Sequence, residues 1–148
     1  MAVEPGQVFP SFSATSHEGE LVDLAEYRGA ENLVVFFYPR AQTSGCVRET
    51  TEFGARRGEF DALKTKIVGV SVDAVDAQKK HAIQCAANFP ILSDEDKSLT
   101  TELGILSERG TAMRTTFLID SKGTVRKVFP GVTVDGHVDQ VLQAVKEL

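Results

Sequence analysis

The sequence is short of several things. It has no tryptophan, two cysteines, two methionines and two tyrosines in 148 residues. Two cysteines do not make the disulfide framework that staples small secreted domains. Neither lies in a Cys-x-x-Cys pair, which argues against a dithiol oxidoreductase. The histidines, His17, His81 and His137, have no recognisable ligand spacing, and a metal site built on them is discounted. No apolar run has membrane-spanning length and no secretory signal is visible, so the expected location is cytoplasmic, away from any membrane. Positive charge is also scarce: 16 Lys and Arg stand against 21 Asp and Glu, for a net charge of −5. That balance argues against nucleic acid as the main partner. No internal repeat or low-complexity tract appears.

What is present suits a soluble globule. Apolar residues make up 42% and charged residues 25% of the chain, and one domain over residues 1–148 is expected. The chain is organised around Asn32 to Phe53. Leu33 to Tyr38 is a continuous apolar run, suited to a central strand covered on both faces. Pro39 cannot donate to a ladder and should end it. Thr43 or Ser44 is expected to cap, through its side chain, a helix running to about Leu63. Val47, Phe53, Phe60 and Leu63 should face the sheet, and Gly54 and Gly58 weaken the helix or allow a kink.

The remaining elements follow from the same signals. Before the core strand, a turn at His17–Glu20 joins two short strands, with His17 solvated, and Asp23 caps a short helical turn through Tyr27. Ile67 to Val72 reads as a second buried strand. Asp73 is then expected to cap a helix over 74–87, with Val75, Ala82, Ile83 and Ala86 inward and Lys79, Lys80 and His81 outward. Ser93-x-x-Asp96 has the form of a capping box for a short helix through Leu103, and 105–113 reads as surface loop. Thr115 to Ile119 is a third buried strand, joined by Asp120–Gly123 to a partner over 124–129. The last helix starts near Gly136, with Val138, Val141, Leu142, Val145 and Leu148 as its apolar stripe. This order predicts an α/β fold: a mixed sheet with helices on both faces.

Cys46 falls in the first turn of its helix. Free N–H groups there carry about half a positive charge, which favours thiolate over thiol. A small buried hydrophobe is the other reading of such a cysteine, and the residue alone leaves the two open.

The segment FYPRAQTSGCVRE resembles the active-site segment of peroxiredoxins, in particular the bacterioferritin-comigratory (PrxQ-like) branch. The family pattern Pro-x-x-x-Thr/Ser-x-x-Cys is met by Pro39, Thr43 and Cys46, and Glu49 stands where that branch usually has glutamate. PGQVFPSF, IVGVSVD, FPILSDED and RTTFLID extend the resemblance over nearly the whole chain. It implies a thioredoxin fold with the peroxiredoxin N-terminal extension, and a thiol-dependent peroxidase acting on hydrogen peroxide or organic hydroperoxides. It also implies the roles. Cys46 would be the peroxidatic cysteine and pass through a sulfenic acid. Thr43 would hold the peroxide, Pro39 would shield the pocket, and Arg114 would stabilise the thiolate and orient the peroxide. Glu49 would pair with an arginine or stay solvated. No metal or organic cofactor is implied. Thioredoxin, glutaredoxin or a small thiol would supply electrons, and both monomers and homodimers occur in the branch.

Two positions depart from the pattern. Ser44 stands where the family usually has proline, which predicts altered rigidity rather than lost activity. Thr51 occupies the position where many relatives carry the resolving cysteine, and Cys85 falls about one turn later than in relatives that carry it in the next helix. Cys85 is therefore either the resolving cysteine, with some unwinding of a helix, or a buried thiol. The competing function is a thioredoxin-fold binding or holdase module without catalysis.

Overall fold

The structure is a computed structural model and describes residues 3–148. Its centre is β3 (Asn32–Phe37), in a sheet of five strands ordered β5-β4-β3-β6-β7. β4 (Thr65–Ser71) runs parallel to β3, and β5 (Ile91–Ser93) parallel to β4. β6 (Thr115–Ile119) lies antiparallel on the other side of β3, and β7 (Val125–Phe129) closes that edge. Both parallel crossovers carry a helix. Right-handed crossovers stepping the same way along a sheet put their helices on one face. α1 (Ser44–Ala55), α2 (Arg57–Ala62) and α3 (Val75–Cys85) accordingly share a core with α5 (His137–Lys146).

β3 shows why its sequence is apolar without alternation. Val34, Phe36 and Tyr38 face the helices, packed with Phe53, Phe60, Ala82 and Leu142. Leu33, Val35 and Phe37 face the opposite core, which is closed by Phe9, Leu24, Leu99 and Leu103 from the N-terminal segment and α4 (Ser98–Glu102). The mixed sheet with helices on both faces is therefore as expected. Gly69 of β4 makes room for one of these rings: a Cβ there would stand 2.9 Å from Phe36 Cζ.

The N-terminal extension clasps both edges of the sheet. β1 (Ser13–Thr15) and β2 (Leu21–Asp23) form the expected hairpin, and Asp23 caps the following helical turn through Ala25 N–H at 2.9 Å. His17 is not solvated. Its backbone N–H donates to the Ile91 carbonyl at 2.8 Å, and its Nδ1 accepts from Ile91 N–H at 3.2 Å, pinning the hairpin to β5.

Several local expectations are corrected. The single helix over 44–63 breaks at Arg56, whose φ of −103° and ψ of 6° end α1 and start α2. Arg56 ties the break down by pairing with Glu59 and Asp139. The buried face of α3 is Gln78, His81, Ala82 and Cys85, while Ile83 is 72% exposed and Ala86 is an exposed left-handed C-cap. Ser93 lies within β5, so the capping box does not form. Lys97 is the N-cap of α4, and the Asp94 carboxylate holds the first turn from outside, accepting from Thr100 N–H at 2.7 Å and Thr100 Oγ1 at 2.6 Å. Ile105 and Ala112 are buried ends of a pinned turn rather than free surface loop. Leu148 is 41% exposed and lies off the α5 stripe.

Candidate active site

The site is built where β3 gives way to α1. Pro39, half-buried, follows the last strand residues, and the chain turns through Arg40 to Thr43. Gln42 adopts φ 68°, a left-handed conformation that costs a residue with a Cβ roughly 1–2 kcal/mol. Two consecutive backbone N–H groups fix the turn. Ala41 donates to Asp73 Oδ2 and Gln42 to His81 Nδ1, each at 2.8 Å. Asp73 is thus engaged here and does not cap α3 through its side chain. Ala74 is the N-cap, and Ser71 Oγ holds Asp73 at 2.6 Å.

His81 corrects its expected outward position. It is fully buried and stacks on Tyr38 with ring centroids 4.9 Å apart. An accepting Nδ1 leaves the proton on Nε2, which donates to Thr50 Oγ1 at 2.9 Å. Burial pulls its pKa down to about 4, so the ring is neutral at neutral pH. On the same face of α3, Gln78 accepts from the Tyr38 hydroxyl and donates to the Leu92 carbonyl at 2.7 Å. The polar face of α3 thus serves the turn and the strands beside it.

Thr43 is the N-cap of α1 by backbone position: its carbonyl accepts from Val47 N–H at 2.8 Å. Its side chain does not cap. The exposed hydroxyl donates back to the Arg40 carbonyl at 2.9 Å, which leaves its lone pairs free to accept a hydrogen bond from a bound hydroxyl. Ser44 makes no side-chain cap either.

Cys46 lies in the first turn, with its side chain fully buried. Arg114 divides its guanidinium between two groups: Nη2 donates to Cys46 Sγ at 3.2 Å and Nη1 to Glu49 Oε1 at 2.7 Å. Glu49 is also fully buried, one turn after Cys46, and is not a solvated residue. Burial raises its pKa to about 7 against the opposing pull of Arg114. Sheet register brings Arg114 here. Phe37, at the end of β3, pairs with Thr115 at the start of β6, so the residue before Thr115 reaches the end of the sheet where α1 begins. Gly45 leaves the guanidinium its space, since a Cβ there would stand 3.3 Å from Nη2.

Cys85 is the last residue of α3 and 5% exposed. Its thiol lies 3.7 Å from both the Val47 carbonyl and His81 Nε2, and burial pushes its pKa up. Both cysteines are free thiols. His137 is buried against Thr116 Oγ1 at 2.8 Å. Among the described residues, no group of three or more His, Cys, Asp or Glu side chains gathers to hold a metal. Nor is any described helix long and apolar enough to cross a membrane.

Sequence reasoning missed Asp73, His81 and Gln78. For Gln78 and His81 the signal was the spacing 78-81-82-85, one helical face, which a search for apolar periodicity alone passes over.

Taken together, a buried sulfur at a helix start, with a guanidinium on it and a threonine acceptor one turn earlier, is equipped to attack an electrophile as an anion. It would also stabilise charge developing on a departing oxygen. The AhpC/TSA family matches residues 5–128, and the chain belongs to that family: it is a peroxiredoxin with a thioredoxin fold. Within the family it falls with the Bcp/PrxQ branch. It is 32% identical to peroxiredoxin Bcp of Escherichia coli K12, over 98% of this chain and 97% of that protein. Its structure is similar to peroxidoxin BcpB of Mycobacterium tuberculosis, with TM-score 0.92 at 28% identity over 99% and 98% of the two chains. It is similar too to the Xanthomonas campestris bacterioferritin comigratory protein studied for alkyl peroxide reduction. There the TM-score is 0.88 at 31% identity, over 98% and 96%.

Proposed function

We propose that Cys46 is the peroxidatic cysteine of this thiol peroxidase, with residues 1–148 acting as one domain. The observation that carries the assignment is the 3.2 Å contact from Arg114 Nη2 to Cys46 Sγ inside a buried first turn. The Cys46 thiolate attacks the terminal oxygen of hydrogen peroxide or an organic hydroperoxide. An S–O bond forms as the O–O bond breaks, giving a sulfenic acid and a hydroxide or alkoxide that takes up one proton. Arg114 and the first-turn N–H groups stabilise the charge on the leaving oxygen. Thr43 accepts a hydrogen bond from the peroxide hydroxyl, and Pro39 walls the pocket against water. Glu49 holds Arg114 in place at 2.7 Å. An intact Cys46–Arg114 contact speaks against an inactive holdase module.

Cys85 is assigned as the resolving thiol. It packs 3.7 Å from the carbonyl of Val47, the residue after Cys46, so loosening the start of α1 and the end of α3 would bring the sulfurs together. Burial keeps it out of the reaction until that loosening. Thioredoxin or another thiol then reduces the disulfide in the cytoplasm, with the protein as a monomer or homodimer.

Intact mass after one equivalent of hydrogen peroxide, with a sulfenic-acid trap present, tests both steps. Loss of two hydrogens with a Cys46–Cys85 crosslink is the expected result. Trap addition at Cys46 without a crosslink overturns the role of Cys85 and leaves an outside thiol to resolve. No rapid change overturns the assignment of Cys46.

A further inference from the structure

Arg114 is one cation placed between two potential anions, both fully buried. If Cys46 and Glu49 were ionised together, the pocket would hold a net negative charge away from water, which is costly. Glu49 Oε2 adds to that cost. It is buried and has no hydrogen-bond partner among the described residues, a poor environment for half of a delocalised charge. A proton on Glu49 removes the excess charge and leaves the cation to the sulfur. The charged and titratable groups that bear on Glu49 are Arg114, from the segment before β6, and Glu52, farther along α1. Glu52 repels a second negative charge, so it too favours the protonated carboxyl. Cys46 and, from α5, His137 bear on Arg114.

We infer that Cys46 and Glu49 share a single proton across Arg114, and that Glu49 is a proton store which releases it when the thiolate is consumed. The inference rests on Cys46 as the peroxidatic residue. In the resting site the sulfur is the anion and Glu49 is the acid. Attack converts Cys46 into a neutral sulfenic acid, and Arg114 is left with no anion. The Glu49 carboxyl then becomes the stronger acid, and its departing proton balances the alkoxide. Cys46 thiolate, Glu49 carboxylic acid and ROOH become Cys46 sulfenic acid, Glu49 carboxylate and ROH, with atoms and charge conserved. Glu49 touches Arg114 and not the reacting atoms, so it is a positioning residue with a charge-balancing role.

The test is proton counting in the first half-reaction. Reduced protein in weak buffer near neutral pH, carrying an indicator dye, is mixed with one equivalent of hydrogen peroxide, and Cys46 oxidation is measured in parallel. The wild type is expected to take up much less than one proton from solution for each Cys46 oxidised. Glu49→Gln keeps an acceptor for Arg114 but has no proton to release, and is expected to take up about one. Infrared difference spectra should show loss of a carboxylic-acid carbonyl band on oxidation in the wild type, absent in the variant. Equal proton uptake in the two proteins, or no such band, overturns the proton store while Cys46 still oxidises. Failure of Cys46 to oxidise at all overturns the peroxidase assignment instead, so the two failures are distinct.

Discussion

The two cysteines are nearly equal in burial, at 0% and 5% exposed, and nearly opposite in everything else. Cys46 sits at the start of α1, where free N–H groups point outward, and has a guanidinium on its sulfur. Cys85 closes α3, where carbonyls end the helix, and the polar groups around its sulfur, the Val47 carbonyl, a neutral imidazole and the Thr50 and Thr51 hydroxyls, include no cation. Helix dipoles favour negative charge at the first end and disfavour it at the second. Burial alone therefore does not distinguish the two thiols. The sign of the nearest dipoles and cations does.

Exchange of each sulfur is the strongest way to break this contrast. Cys46→Ser is expected to abolish peroxide consumption, while Cys85→Ser should leave the first, single-turnover oxidation unchanged and remove only the disulfide. Stopped-flow mixing with hydrogen peroxide would refute the contrast if the two variants failed alike. Next in size is Arg114→Ala. Removing the cation should cost about 3 kcal/mol of transition-state stabilisation, on the order of a hundredfold in kcat/KM. Thermal melting should show the fold retained, since the variant's Glu49 can remain protonated.

His81→Ala sharpens the comparison from the other helix. It strips the acceptor from the Gln42 N–H and leaves a cavity beside Tyr38, costing about 2–3 kcal/mol of stability by urea unfolding. The peroxide rate should fall less than for Arg114→Ala. His81 also gives a pH signature. It titrates at about 4 when folded against 6.5 when unfolded, so the unfolded chain binds the extra proton between those values. Stability should fall as pH drops through that window, by up to about 1.4 kcal/mol per pH unit, and the slope should flatten in His81→Ala. Glu49 has the opposite sign. Its folded pKa of about 7 lies above 4.5, so its contribution is present below 4.5 and lost as pH rises through 7. The smallest effect is expected from Gly45→Ala. The added methyl would push Arg114 a few tenths of an ångström from the sulfur, and a several-fold slower peroxide reaction should result. An unchanged rate would show that Arg114 tolerates that displacement.

The strands were legible because burial on both faces writes an unbroken apolar run, as in Leu33–Tyr38. The turns were legible where side-chain chemistry is local: Asp120 accepts from Lys122 and Thr124 N–H, as the hairpin signal implied. The meeting of Cys46 with Arg114 came into view through the resemblance, since no local pattern relates residues 46 and 114. The second layer was hidden for a different reason. Asp73 has the composition of a helix cap, and only tertiary structure reveals that a backbone N–H from a distant turn competes for it. His81 and Gln78 look like solvent-facing residues until the polar backbone and hydroxyl they satisfy are in place. Ile83 fits an apolar count and faces outward, because the inward positions of α3 are needed for hydrogen bonds.

The antiparallel pairing of β3 with β6 has a bearing on how this chain tolerates length change. Phe37 opposite Thr115 sets where the guanidinium falls, and the irregularity in the β6–β7 ladder sits at Leu118/Ile119, near the far end of that strand. Residues added around Gly110, in the turn before β6, can loop out without moving this pairing. A single residue inserted between Thr115 and Phe117 would instead turn alternate side chains to the wrong face and carry the cation off the sulfur. The same genetic event is thus silent on one side of Arg114 and disabling on the other.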